Sequence, residues 1–309
     1  MPTIDILGVP HTYELTPPVA NSSAPVLIFI HGWLLSRNYW QPLTDKLSTQ
    51  YQCLTYDLRG FGDSQPIPKT ETSPSDNAVL SKSSASSSNG STPSQYSLAA
   101  YANDLSILLQ KLDIRSAWLI GHSLGGSIAL WGAKCCSDIV QGVICLNAGG
   151  GIYLKEEFER FRSAGQQMIQ LRPPWLSSVP LIDRVFARVM VARPLSRDWG
   201  RQRAIDFVKA DAQAALGALL DTTTETEVHL LPQIVAHLKQ PVYFLAGEKD
   251  RVMELKYVRH LASFHQLFEL SGNNVIAIPD CGHLSMIECP DVIATQISFL
   301  LQEHSAHLS

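Results

Sequence analysis

Short apolar runs rich in β-branched residues recur along the chain between longer stretches of mixed polarity. Six of them, Val26 to Ile30, Gln52 to Tyr56, Ala117 to Ile120, Gly142 to Leu146, Val242 to Leu245 and Val275 to Ile278, lack the apolar–polar alternation of a half-exposed strand. Continuous runs of this length suit strands buried on both faces, which predicts an α/β fold with a mostly parallel central sheet flanked by helices. The intervening segments agree. From Leu98 to Leu112 the apolar residues fall at Leu98, Tyr101, Ala102, Leu105, Leu108, Leu109 and Leu112, the period of a helix lying on a core. Thr3 to Leu15 is read as one or two leading strands, with Pro10 breaking the run.

Two segments leave this alternation. Residues 66–95 are dominated by Ser, Thr, Pro, Asn and Gly, a composition that cannot bury enough apolar surface to offset its ordering entropy, so a disordered surface insertion is expected there. Residues 151–240 contain no convincing strand but several amphipathic stretches, among them Lys155 to Leu171 and Trp199 to Leu220. Pro173, Pro174, Pro180, Pro194 and Pro232 punctuate it, since proline ends or kinks helices. The organisation predicted is a core in two parts, 1–150 and 241–309, with a helical cap inserted at 151–240.

Composition removes some readings. A formal net charge of −4 exerts no pull on a polyanion, so nucleic acid is not expected as a partner. Met1 to Pro10 has neither the cationic start nor the apolar centre of an export signal, and Val26 to Ile30 is far too short to span a bilayer. A soluble, cytoplasmic protein without a transmembrane segment is expected. Cys53, Cys135, Cys136, Cys145, Cys281 and Cys289 show no C-x-x-C pair or zinc-like spacing and suit buried free thiols in a reducing compartment.

The sharpest chemical signal is Gly121-His122-Ser123-Leu124-Gly125-Gly126, where a buried strand runs through G-x-S-x-G into a helical stretch ending near Ala133. A serine on so tight a turn needs neighbours without side chains, and the helix behind it aims backbone N–H groups at the point where an oxyanion forms. His31-Gly32-Trp33 follows the strand Val26 to Ile30, so the N–H groups of Trp33 and Leu124 are expected to face one point as an oxyanion hole. His31 itself is read as a hydrogen-bonded turn residue, and His122 as packing.

Position separates the ten histidines as candidate bases. His283 follows the strand Val275 to Ile278, where a loop reaches the carboxyl edge of the sheet; most of the others lie in surface-like or helical contexts. Asp250 closes the loop after Val242 to Leu245 on the same edge, and its carboxylate is suited to accept from the His283 imidazole. Glu248 is the neighbouring rival, less deep in the loop.

With these residues in place the sequence resembles the α/β-hydrolase superfamily over nearly all of the chain outside 66–95. His31-Gly32-Trp33 is similar to its oxyanion motif, Gly121 to Gly126 to its nucleophile elbow, Asp57-Leu58-Arg59-Gly60-Phe61-Gly62-Asp63-Ser64 to its D-x-R-G-x-G-x-S turn, and Gly247 to Asp250 and Gly282-His283 to its acid and base loops. The D-x-R-G turn is read as structural. Haloalkane dehalogenases and epoxide hydrolases of the superfamily carry aspartate where this chain has Ser123, which argues against both.

The expectation is a serine hydrolase that cleaves a carboxylic ester, with Ser123 as nucleophile, His283 as base, Asp250 as its acid, and no metal or organic cofactor. The partner is a small-molecule ester, apolar because the cap carries Phe158, Phe161, Met168, Trp175, Phe186 and Met190, although helical spacing assigns these first to the core. Peripheral membrane contact through the cap is compatible with this. Two rivals use the same residues. One is a lyase resembling the menaquinone-pathway α/β-hydrolase, in which an arginine usually follows the glycine pair where this chain has Ser127; the other is a ligand-binding receptor built on the fold.

Overall fold

The computed structural model describes residues 1–20, 24–66, 94–149, 155–270 and 274–306. Eight strands form one sheet: β1 (Thr3–Ile6), β2 (Val9–Leu15), β3 (Val26–Ile30), β4 (Cys53–Tyr56), β5 (Ala117–His122), β6 (Val140–Leu146), β7 (Val242–Gly247) and β8 (Val275–Ile278). Their spatial order is β1-β2-β4-β3-β5-β6-β7-β8, with β1 and β2 antiparallel and all pairs from β4 onward parallel. The six internal runs form strands where expected. The leading segment is two strands, and Pro10 sits inside β2 near the sheet edge, where a missing N–H costs least.

The helices are α1 (Gln41–Leu47), α2 (Leu98–Lys111), α3 (Leu124–Cys135), α4 (Lys155–Gln170), α5 (Ile182–Phe186), α6 (Arg197–Lys209), α7 (Ala212–Thr222), α8 (Glu225–His237), α9 (Leu255–Ala262), α10 (Gln266–Leu270), α11 (Ser285–Glu288) and α12 (Pro290–Ala306). The apolar strands feed two clusters. Ile28, Ile30 and Leu119 join α2, α3, α8 and α9 on one face, whereas Leu27, Phe29, Trp118 and Ile120 join α1 and α12 on the other. Successive residues of one strand thus enter opposite layers, which is why the runs are continuous rather than alternating.

Helices α4 to α8 lie between β6 and β7. The expected single stretch from Trp199 to Leu220 is two helices, because Asp211 starts a new one: its carboxylate accepts from Ala214 N at 2.8 Å while its own N–H donates to Gly60 O at 2.8 Å. Pro232 lies inside α8 without ending it, and Leu231, Ile234 and Val235 of that helix join the layer of α2 and α3. Met168, Trp175 and Met190, assigned to the core by spacing, are exposed. The expected insertion at 66–95 falls almost wholly outside the described residues. No helix among the described residues is long and apolar enough to cross a membrane. Cys53, Cys136, Cys145 and Cys281 are buried thiols, but Cys135 is exposed, since it ends α3 beyond the layer.

The turn after β4 is a polar lock. Asp57, fully buried, accepts from the N–H of Arg37 at 2.6 Å and of Asp63 at 2.8 Å, and pairs with the Arg37 guanidinium. Gly62 (φ +52°) passes so close that a Cβ there would lie 2.3 Å from the Asp57 carboxyl carbon. Arg59 donates to Asp104 of α2 through Nε at 3.0 Å. Asp57 is the one fully buried carboxylate of the three that Arg37 meets, Glu14 and Asp63 being half-exposed, so Asp57→Ala is expected to lower the unfolding free energy by about 3 kcal/mol. Glu14→Gln, which removes only one of the half-exposed Arg37 partners, is expected to cost about 1 kcal/mol or less. Urea midpoints at unchanged slope measure both, and equal shifts would contradict the assignment.

Candidate active site

The carboxyl ends of β5, β6, β7 and β8 stand side by side, and each delivers one group to the same edge. Ser123 follows β5 at φ +52°, a left-handed turn that a serine tolerates only when its surroundings enforce it. They do. A Cβ on Gly121 would lie 2.1 Å from Gly125 O, and one on Gly125 would lie 2.1 Å from Ile30 O, so both positions must be glycine for the elbow to close on β3. The Ser123 N–H donates to Leu146 O at 3.0 Å and anchors the turn to β6.

After β7, Asp250 is buried. Its Oδ1 accepts from Val252 N at 2.8 Å and Met253 N at 3.0 Å, and its Oδ2 faces His283 Nδ1 at 2.7 Å and the Asn147 amide at 2.9 Å. Burial works against the carboxylate charge, but His283 beside it and the hydrogen bonds from His283, Met253 and Asn147 together outweigh burial and hold Asp250 below its ordinary range. Glu248 is exposed, so the carboxylate that reaches His283 is Asp250.

His283 is 3% exposed, and its loop is held from two sides. Its N–H donates to Met190 O at 2.9 Å, while the Glu288 carboxylate collects the N–H groups of Gly282 (3.0 Å), Leu284 (3.0 Å) and Ala192 (2.7 Å). Asn147, at φ +50°, donates to Gly282 O at 3.1 Å as well as to Asp250. Neither Asn147 nor Glu288 was legible as a site residue. The one signal for Asn147 was its place directly after β6 on the shared edge, and for Glu288 its spacing of five from His283.

Ser123 is half-buried, and its hydroxyl has no hydrogen bond among the described residues, His283 Nε2 included. The two sequence-predicted donors stand ready in the same sense: the N–H groups of Trp33 and Leu124 find no acceptor among the described residues. Trp33 is fixed by its indole Nε1, which donates to Ala215 O of α7 at 2.9 Å. His31 is the expected turn residue, with Nδ1 donating to Gly32 O at 2.8 Å and Nε2 accepting from Leu58 N at 2.9 Å. His11 and His265, among the histidines read as lying in surface-like or helical contexts, are buried and bonded to Val9 O and Gln240 O. A wide surface cleft lined by Lys134, His237, Lys239 and His304 opens at the opposite, amino edge of the sheet and holds none of these groups.

His122 packs beneath the site, its ring centroid 4.9 Å from that of His283 and its Nε2 donating to His283 O at 2.8 Å. A Cβ on Gly32 would lie 2.7 Å from its Nδ1, so the ring fills the space between elbow and oxyanion loop. Burial first, and the neighbouring His283 second, push this imidazole down to about 3.

Residues 27–296 match the model of the alpha/beta hydrolase family, and the chain belongs to that family. It is similar to the pimeloyl-[acyl-carrier protein] methyl ester esterase of Aliivibrio salmonicida, 23% identical over 91% of this chain and 94% of that protein. It is also similar to the 2-succinyl-6-hydroxy-2,4-cyclohexadiene-1-carboxylate synthase of Serratia proteamaculans, 26% identical over 88% and 91%. Among solved structures, a thermophilic esterase from Thermogutta terrifontis shares the fold with a TM-score of 0.69 and 21% identity, covering 98% of this chain and 97% of that one.

His122 gives the site an acid-side signature. Between its folded value of about 3 and the ordinary histidine value of about 6.5, the unfolded chain binds a proton that the native chain does not. Stability therefore falls as pH falls through that window, by up to about 1.4 kcal/mol per pH unit from this group. His122→Gln is expected to flatten the slope of unfolding free energy between pH 6 and 4, measured by urea titration at each pH. An unchanged slope would mean that another group carries it.

Proposed function

We propose that this chain is a serine hydrolase that cleaves a carboxylic ester or related acyl bond through an acyl-enzyme. The observation that carries the reading is the 2.7 Å hydrogen bond from His283 Nδ1 to a buried, charged Asp250 on the sheet edge that holds the elbow serine. Asp250 fixes the imidazole tautomer with Nε2 free to accept, and it stabilises the imidazolium once formed. Rotation of the unbonded Ser123 hydroxyl onto Nε2 lets His283 take its proton as the oxygen attacks the ester carbonyl. The N–H groups of Trp33 and Leu124 then receive the developing oxyanion. His283 returns the proton to the leaving alcohol, and a water activated by the same base releases the acid. The substrate in this reading is small to medium and apolar, and peripheral contact with a lipid surface through the cap at 151–240 belongs to it.

Similarity to a methyl ester esterase supports hydrolysis. Similarity to a cyclohexadiene carboxylate synthase favours a second reading, an elimination begun by the same base, although the position after the glycine pair is Ser127 and supplies no cation. A product assay with that synthase's substrate separates the two, and turnover of an aryl ester separates both from a receptor.

Ser123→Ala is expected to fold normally, to lose labelling by a fluorophosphonate probe and to lower kcat by roughly 10⁴-fold or more. A folded variant that keeps most of its activity refutes the serine mechanism. Asp250→Asn is expected to lose about 10³-fold or more, because the amide holds the imidazole in the wrong tautomer, while Glu248→Gln stays near wild type. His283→Gln is expected to lose most of the rate, measured as kcat/KM on the same ester.

A further inference from the structure

Exposed apolar side chains are concentrated in one part of the molecule. Of the large apolar residues left in water among the described residues, about half lie between Met168 and Met190, including Leu171 (78% exposed), Trp175 (65%), Leu181 (55%) and Val185 (56%). They form one region. Val185 and Val189 lie one turn apart on α5 and the turn after it, Leu181 caps the start of α5 at φ +67°, and the short turn Leu176–Ser178 that follows Trp175 packs on both α5 and α6. A tryptophan and branched aliphatics left in water at helical spacing are an unpartnered amphipathic surface.

Charge identifies what covers it. From Leu171 to Arg203 the chain carries seven arginines against two aspartates, although its overall formal charge is −4. Arg184 and Arg188, one turn apart beside the apolar stripe, are exposed and form no ion pair among the described residues; Arg201 on α6 is likewise exposed. Of the two aspartates, Asp183 is buried and bonded to Arg197 Nε at 2.6 Å, while Asp198 is exposed on α6 and leaves the arginines in excess. Apolar side chains flanked by arginines match a surface that is apolar inside and anionic at its boundary. The patch also borders the site: Met190, 42% exposed, accepts the His283 N–H, and the backbone of Val191 and Ala192 lies against Gly282.

We propose that the face formed by Trp175, Leu181, Val185 and Val189 with Arg184 and Arg188 adsorbs to anionic lipid bilayers, which sets the cap and the His283 loop against the membrane. Adsorption itself is independent of the ester chemistry. Its consequence for substrate, that the ester is an amphiphile drawn from a lipid phase, rests on the hydrolase reading above.

Flotation of the full chain with vesicles tests this. At low salt the protein is expected to float with vesicles of phosphatidylcholine mixed with phosphatidylglycerol, to stay behind with phosphatidylcholine alone, and to be released by raised salt. Arg184→Glu with Arg188→Glu, and separately Trp175→Ser with Leu181→Ser, should each weaken binding at least about tenfold and leave turnover of a short soluble ester unchanged. Ser123→Ala should float like wild type, so loss of the hydrolase reading alone leaves adsorption intact. A long-chain ester carried in the anionic vesicles should be hydrolysed more slowly by both patch variants, and equal rates would overturn the substrate consequence. Quenching by brominated lipids, lost in Trp175→Phe, reports insertion without relying on the double variants. Failure of wild type to float with anionic vesicles, or unchanged flotation of folded variants, overturns the proposal. So does a dimer in solution that the Trp175→Ser, Leu181→Ser variant converts to monomer, since the patch would then be covered by a second copy.

Discussion

The close approach of the elbow to β3 is the constraint from which the rest of the site follows. With Gly125 against the Ile30 carbonyl and Gly121 against Gly125, the chain has room for one strained residue between them, and that residue is Ser123. The strain is held by ordinary sheet bonds, since Ser123 N extends the β5–β6 ladder to Leu146 O and Asn147 N extends the β6–β7 ladder to Leu245 O. These two bonds carry the edge across three strands. Ser123 and Asn147 are therefore positioned by one continuous hydrogen-bonded edge, and Asn147 carries that position to Asp250 in the loop after β7.

Electrostatics complete what the backbone begins. Asp250 is buried, and four donors meet its carboxylate, two from backbone and two from side chains, so its charge survives desolvation. His122, equally buried but without a nearby carboxylate bonded to it, is driven the other way and stays neutral beneath His283. A charged His122 there would repel an imidazolium on His283. The two rings lie 4.9 Å apart and differ in role because their partners differ: one faces a carboxylate, the other a carbonyl.

The strands were legible because burial on both faces leaves an unbroken apolar run, and each of Ser123, Asp250 and His283 stood directly after such a run. What depended on distant partners was not. Asn147 reaches Asp250 across 103 residues, and Glu288 grips a loop together with Ala192, a partner 96 residues away, so neither role has a local pattern. The break between α6 and α7 is a local cap at Asp211, but it is fixed by Gly60 O, far away in sequence. Helical spacing grouped Trp175 with the core because a period tells which side chains share a face, and not whether that face meets another element.

The segment between β6 and β7 is tied to the same edge of the sheet. Residues of the cap stretch are bonded to the loops that carry the site: Met190 O to His283 N, Ala215 O to the Trp33 indole, Asp206 to Ser36 at 3.0 Å, and Lys209 to Asp63. Burial pushes Asp206 up to about 6, so even this link to the segment after the oxyanion loop changes its charge state near neutral pH. The Met190 bond belongs to the segment that presents the exposed apolar stripe, and that segment also packs its backbone on Gly282.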